Sequence, residues 1–178
     1  MSRSREIWEW IRSIAIAVVV ALLIRFFIFE FYIVEGGSMY PTLEDGYRLI
    51  VDKISYRFNE PDYGEIVIFD SRIATRPFIK RVVGLGGDTI EIRDGQVYRN
   101  GELLDEPYLK GQSDHQDYGP VKIPPGNYFL MGDFRRNSKD SRDPLVGFVA
   151  GERIMGRARL VFWPPGEARV LGSRAAAE

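Results

Sequence analysis

The chain has 178 residues, with 24 Lys+Arg against 25 Asp+Glu and a formal net charge of −1. A balance this even, without a clustered basic face, argues against a nucleic-acid partner. The absence of cysteine excludes disulfides, thiolate zinc sites and cysteine nucleophiles, and a single histidine, His115, excludes two-histidine metal motifs.

The first element is an unbroken apolar run of eleven residues, Ile14 to Ile24. Crossing a bilayer takes about 20 predominantly apolar residues, so the run needs its flanks: Trp8, Trp10 and Ile11 before it, and Phe26, Phe27, Ile28 and Phe29 after it. A cleaved leader would need small residues soon after the apolar core, whereas RFFIFEFYIVE follows. A buried core helix is the competing reading. A retained single-pass transmembrane anchor over residues 11–32 fits best. Arg3, Arg5 and Arg12 precede the run, and only Arg48 is basic between Ile33 and Ile50. The positive-inside rule then puts residues 1–10 in the cytoplasm and residues 33–172 on the extracytoplasmic side of the cell membrane.

The exported part reads as mainly β. YRLIVDKI and GEIVIFD are short β-branched runs bounded by Gly, Pro and Asp. TIEIRDGQVYRNGELL alternates apolar and polar residues through two turn dipeptides, Asp94-Gly95 and Asn100-Gly101, both suited to tight hairpins. NYFLMGD and RARLVFWPP read as further strands, and no amphipathic helix is apparent. The expected architecture is an antiparallel β-sheet domain with a small inserted hairpin and loop region over about 87–122. The stretch 106–122 lacks periodicity and reads as a long surface loop, and residues 173–178 read as a flexible tail.

Three segments could carry chemistry. Ser38 lies in GGSMYPTLEDG, where glycines allow close backbone approach and Pro41 restricts Tyr40; an ordinary turn is the bland account. A serine hydroxyl needs a base within reach. His115 sits in polar SDHQDYG, the setting of a solvated loop histidine. Lys80, in RPFIKRVVGLGGD, would share a strand face with Phe78 and Val82. Burial there would lower its pKa and suit it as a base, although an edge-protecting lysine would look the same. MGDFRRNSKDSRDP, from Met131 to Pro144, reads either as a charged surface loop or as a carboxylate–guanidinium brace.

Taken together and in order, GGSMYPTL, FIKRVVGLGGD and MGDFRRNSKDSR resemble the signature boxes of bacterial type I signal peptidases. The anchor followed by IRFFIFEFYIVEG and the segment NGELLDEPYL also resemble that family, so the likeness covers nearly the whole chain. It implies a membrane-bound serine endopeptidase that removes signal peptides from preproteins after small residues at P1 and P3, without a cofactor. On the matching positions, Ser38 would be the nucleophile and its backbone N–H an oxyanion donor, with Lys80 the general base. Ser138 would orient Lys80, Asp140 and Arg142 would form a bracing ion pair, and Asp133 would support the same box. Val34, Gly36, Met39, Leu43, Phe78 and Ile79 would face the substrate. Two positions depart from the pattern: Gly36, where some members carry a hydroxyl that helps hold the oxyanion, and Phe134, where the box usually has Asn. The partners implied are preproteins and the lipid bilayer. The alternative from another class is a non-catalytic, surface-anchored β domain that binds a partner and needs neither Ser38 nor Lys80.

Overall fold

The computed structural model describes residues 3–111 and 116–172; the side chains of residues 3–6 and 21–27 lie outside the described set, as do His115 and the tail over 173–178. In chain order the elements are α1 (Arg3–Phe27), β1 (Phe29–Ile33), β2 (Arg48–Asp52), α2 (Ser55–Phe58), β3 (Ile66–Phe69), β4 (Phe78–Gly84), β5 (Thr89–Arg93), β6 (Gln96–Arg99), β7 (Glu102–Leu103), β8 (Tyr118–Lys122), β9 (Asn127–Met131), β10 (Val149–Ala150), β11 (Ile154–Trp163) and β12 (Arg169–Val170).

Helix α1 has 25 residues and carries apolar side chains around its circumference. Those described from Ile7 to Val20 are exposed. Among the described residues no helix is long and apolar enough to cross a membrane. The apolar run of the expected anchor continues into 21–27, beyond the described side chains. Its C-terminal end differs from expectation. Phe29–Ile33 is a strand, paired antiparallel with β2 from Phe29↔Asp52 to Ile33↔Arg48. Phe29, Phe31 and Ile33 lie on one face of this strand and Glu30 and Tyr32 on the other, as a period of 2 requires, and the β domain therefore begins at Phe29.

Two antiparallel sheets form this domain. The larger has eight strands in the order β1-β2-β11-β3-β4-β9-β10, with β12 added beside β11. Long β11 is its spine, pairing with β2, β3 and β12. The smaller sheet has the order β7-β6-β5-β8. Its turns are those the dipeptides predict: Asp94 and Gly95 have φ of 50° and 77°, and Asn100 and Gly101 have 56° and 84°. The expected loop over 106–122 is only partly a loop. Tyr118–Lys122 is β8 and pairs with β5, its signal hidden by Gly119-Pro120, which break the β pattern.

Three apolar clusters hold these layers. Val34, Met39, Leu43, Leu49, Val51, Ile66, Ile68, Ala158 and Val161 pack under the Ser38 loop. Val67, Phe69, Val82, Leu130 and Val149 fill the centre of the large sheet. Val83, Ile90, Ile92, Val97, Ile123, Phe129 and Met131 join the two sheets. At that joint Gly84 leaves room that a side chain would fill, since a Cβ there would stand 2.5 Å from Ile123 Cδ1. Asp88 staples the joint from the polar side: it accepts from the Leu85 N–H (2.9 Å), the Tyr63 hydroxyl (2.9 Å) and the Asn100 amide (2.8 Å).

Candidate active site

Residues 34–47 form a loop whose ends are pinned to each other. The Val34 N–H donates to the Tyr47 carbonyl (2.8 Å), and Gly46 donates back to Val34 (2.9 Å). Met39 and Leu43, 1 % and 0 % exposed, sink into the core and leave Ser38 at the surface of the packed layer. Gly36 has φ of 79°, a left-handed conformation that suits glycine, and its N–H donates to Asp45 Oδ1 at 2.6 Å.

Lys80 lies in the middle of β4, 3 % exposed. Its Nζ donates to Ser38 Oγ at 2.7 Å and to the Ile79 carbonyl at 3.0 Å, and it stands 5.2 Å from the centre of the Phe78 ring. The predicted strand face thus holds, with Phe78 beside Lys80, and the lysine is no edge guard. Burial is the main cause that lowers its pKa, to about 8. Asp140 and Asp133 oppose the shift and Arg142 adds to it. A neutral amine in contact with a serine hydroxyl is an arrangement able to take the hydroxyl proton.

Behind the pair lies a buried brace. Asp133, 0 % exposed, grips Arg81 with two bonds, Arg81 Nε to Oδ1 at 2.8 Å and Nη2 to Oδ2 at 2.6 Å, and also accepts from the Thr42 hydroxyl. Asp140 receives Arg142 in the same two-pronged way, at 2.8 and 2.9 Å, together with the Gly132 N–H at 2.9 Å. Burial alone would raise the pKa of Asp140, but the Arg142 guanidinium and the Gly132 donor hold it below the ordinary carboxylate value. Gly132 sits where β9 runs into this box, and a Cβ there would collide with Ser138 Oγ and the Ser38 carbonyl. Phe134 fits without the usual Asn: its backbone N–H donates to the Ser38 carbonyl at 3.0 Å, and its ring meets Tyr40 edge-on, centroids 6.0 Å apart.

Three expected roles are not met in this geometry. Ser138 makes no bond to Lys80; its Oγ is buried without a hydrogen-bond partner. Leu43 is core, packed in the cluster under the loop, and does not line the cleft. The cleft beside Ser38 and Lys80 has a volume of about 430 Å³, and Val34, Met39, Phe78 and Ile79 line it together with Phe31, Tyr32, Ile33 and Pro77. Gly36 is not among its lining residues. The Ser38 N–H has no acceptor among the described residues. No group of three or more His, Asp or Glu among the described residues is arranged to hold a metal ion.

Sequence reasoning left Arg81, Thr42, Glu106, Tyr108 and Arg135 without a role. Arg81 follows the base directly and, by alternation, had to point away from it; a buried arginine there needs a carboxylate, which was a usable signal. Glu106 and Tyr108 lie in the stretch that reads as a surface loop, and the guanidiniums they meet, Arg135 and Arg81, lie far along the chain.

Residues 7–163 match the family described as signal peptidase, peptidase S26. The chain is 46 % identical over 170 residues to signal peptidase I T of Bacillus subtilis (strain 168), covering 90 % of this chain and 88 % of that protein. It is 45 % identical over 171 residues to a signal peptidase I of Bacillus amyloliquefaciens, covering 91 % of this chain and 88 % of the relative. A solved signal peptidase I from Enterococcus faecalis is 33 % identical, with a TM-score of 0.49 and coverage of 56 % of this chain and 97 % of that one.

Proposed function

This chain belongs to the S26 signal peptidase family, serine peptidases that remove signal peptides, and on that premise we propose that Ser38 and Lys80 are the nucleophile and general base that cleave exported preproteins. The single observation that carries the reading is the 2.7 Å bond between Lys80 Nζ and Ser38 Oγ inside a buried strand. Neutral Lys80 takes the proton as Ser38 Oγ attacks the scissile carbonyl. The Ser38 N–H donates to the oxyanion that forms. Collapse breaks the C–N bond, and the lysine proton leaves with the new amine of the mature protein. Lys80 then deprotonates a water that attacks the acyl-Ser38 ester, releasing the signal peptide as a carboxylic acid and restoring the hydroxyl.

The proton inventory gives Ser138 a place in this scheme. A neutral amine has two N–H groups and one lone pair. With the lone pair turned to the Ser38 proton and one N–H on the Ile79 carbonyl, the second N–H needs an acceptor. The unpartnered, buried Ser138 Oγ is suited to that task. Asp140–Arg142 and Asp133–Arg81 hold the box that carries it. The shallow, apolar walls made by Val34, Met39, Phe78 and Ile79 suit small side chains at P1 and P3.

We further read α1 as the anchor of a single-pass cell-membrane protein, with residues 1–10 in the cytoplasm and the β domain outside. At about 1.5 Å per residue, the part of α1 from residue 11 to its end at Phe27 reaches about 25 Å, close to the roughly 30 Å of bilayer hydrocarbon. Trp8 and Trp10, 68 % and 72 % exposed, suit an interfacial position. Ser38 then lies close to the plane where a preprotein emerges, and tethering raises its effective concentration toward membrane-borne substrates. The test is to replace Ser38 by Ala and, separately, Lys80 by Ala and to assay a preprotein with a small-x-small site. Both variants are expected to lose processing; full retention in either sinks the dyad.

A further inference from the structure

The brace behind the dyad has a third member that comes from the smaller sheet. Glu106 follows β7 and accepts both outer nitrogens of Arg135, at 2.9 and 2.5 Å. The two side chains are 8 % and 2 % exposed. Arg135 Nε donates to the Gly132 carbonyl at 3.1 Å, and the Arg135 carbonyl accepts from Arg142 Nη2 at 2.8 Å. Tyr108, two residues on, donates its hydroxyl to Glu106 Oε1 at 2.6 Å, and its ring lies 3.9 Å from the Arg81 guanidinium carbon. Asp133–Arg81, Glu106–Arg135 and Asp140–Arg142 thus form one connected set of three carboxylates and three guanidiniums around Gly132.

We propose that Glu106 is a positioning residue for the reaction: from the small sheet it neutralises and orients Arg135, and so sets both the place of the Gly132 turn and the charge that faces Lys80. This rests on the reading of Ser38 and Lys80 as the dyad. The charged groups acting on Lys80 are Asp140, Asp133 and Arg142. Arg135 is coupled to the same set through its attraction to Asp133 and its repulsion of Arg81. With Glu106 in place the six charges sum to zero. Without its charge the set carries one net positive charge, and a positive field disfavours protonated Lys80.

The direction separates this role from simple loosening. Loss of the Glu106 charge moves the basic limb of the kcat profile to lower pH. Unpacking that lets water reach Lys80 moves the limb up, toward the roughly 10.4 of free lysine. A peptide substrate is assayed across pH with wild type, Glu106→Gln, Glu106→Asp and Glu106→Gln/Arg135→Gln, with rates expressed per folded molecule from thermal melts. The expected result is a limb lowered by about half a pH unit in Glu106→Gln, unmoved in Glu106→Asp and returned in the double variant. Plateau kcat falls in Glu106→Gln, since a weaker base removes the proton less well, while KM stays within about twofold because Glu106 does not line the cleft beside Ser38. An unmoved or raised limb in Glu106→Gln overturns the proposal, as does a change confined to the folded fraction. If Glu106→Gln does not fold, the proposal stands or falls on Glu106→Asp, where a limb shifted as far as half a unit overturns it. Failure of the dyad reading itself looks different: Ser38→Ala or Lys80→Ala would stay active.

Discussion

Gly132→Ala tests how tightly the box holds the nucleophile. The backbone at Gly132 is not in the left-handed region, so alanine brings no conformational strain of its own. The cost comes from space. A Cβ at this position stands 2.6 Å from Ser138 Cβ and closer still to Ser138 Oγ and the Ser38 carbonyl. Ordinary contact for such atoms is about 3.5 Å or more, so the Ser38 and Ser138 segments must separate from Gly132 by about 1 Å. That displacement opens the Phe134 N–H to Ser38 carbonyl bond and moves Oγ relative to a lysine fixed in β4. A misplacement of about 1 Å at reacting groups costs on the order of 100-fold in rate, equivalent to about 2.7 kcal/mol. The assay is kcat and KM on a peptide with a small-x-small site, with thermal unfolding on the same samples. The account expects kcat to fall about 100-fold in protein that remains folded, with a smaller change in KM because the cleft walls are untouched. Wild-type kcat in folded Gly132→Ala would refute the reasoning.

Three further outcomes follow from the same geometry. Lys80→Met removes an amine whose charged form is disfavoured by burial, and a shift from 10.5 to about 8 corresponds to about 3 kcal/mol. The variant should be inactive yet melt higher than wild type at pH 7, where lysine must be charged in the unfolded chain and is costly to charge in the fold; the advantage should shrink as pH rises above 8 and vanish near 10.4. At the sheet joint, burial would raise the pKa of Asp88, but donors from Leu85, Asn100 and Tyr63 outweigh it and hold the value below the ordinary one. Its stabilisation is therefore complete above the unfolded carboxylate pKa and lost as pH falls through the lower folded value. Asp88→Asn should lower the melting temperature at pH 7 and flatten its decline between pH 5 and 2, as read by thermal melts. Removal of residues 1–27 should leave cleavage of a soluble peptide intact and reduce cleavage of a substrate held in lipid vesicles; equal vesicle activity would contradict the anchoring role of α1. A cut at residue 32 is a different experiment, because it also deletes β1.

The parts of this molecule legible in sequence are those whose signal is local. Asp94-Gly95 and Asn100-Gly101 need left-handed backbone in tight turns, so the dipeptides located the β5-β6-β7 meander directly. Lys80 was legible because alternation put it beside Phe78. The failures arise where the deciding contact is distant. Phe29–Ile33 extends the aromatic end of the helix, and only pairing with β2 makes it a strand. Leu43 carries no mark that separates a core residue from a cleft wall. Nothing near Glu106 announces that its partner is 29 residues away in the catalytic box, and Gly119-Pro120 disguise β8. Ser138 shows the reverse: its position in the box was legible, while the bond expected of it is not formed in this geometry.

The central claim is that buried Lys80 acts in its neutral form. With a pKa of about 8, roughly 9 % of the lysine is neutral at pH 7, against about 0.04 % for an unperturbed one, a difference of about 200-fold in competent enzyme. The direct measurement is kcat against pH from 6 to 11 on a peptide substrate. A basic limb rising with unit slope and levelling above an apparent pKa near 8 is the predicted result. A limb that continues to rise toward 10.4, or no limb at all, would contradict it.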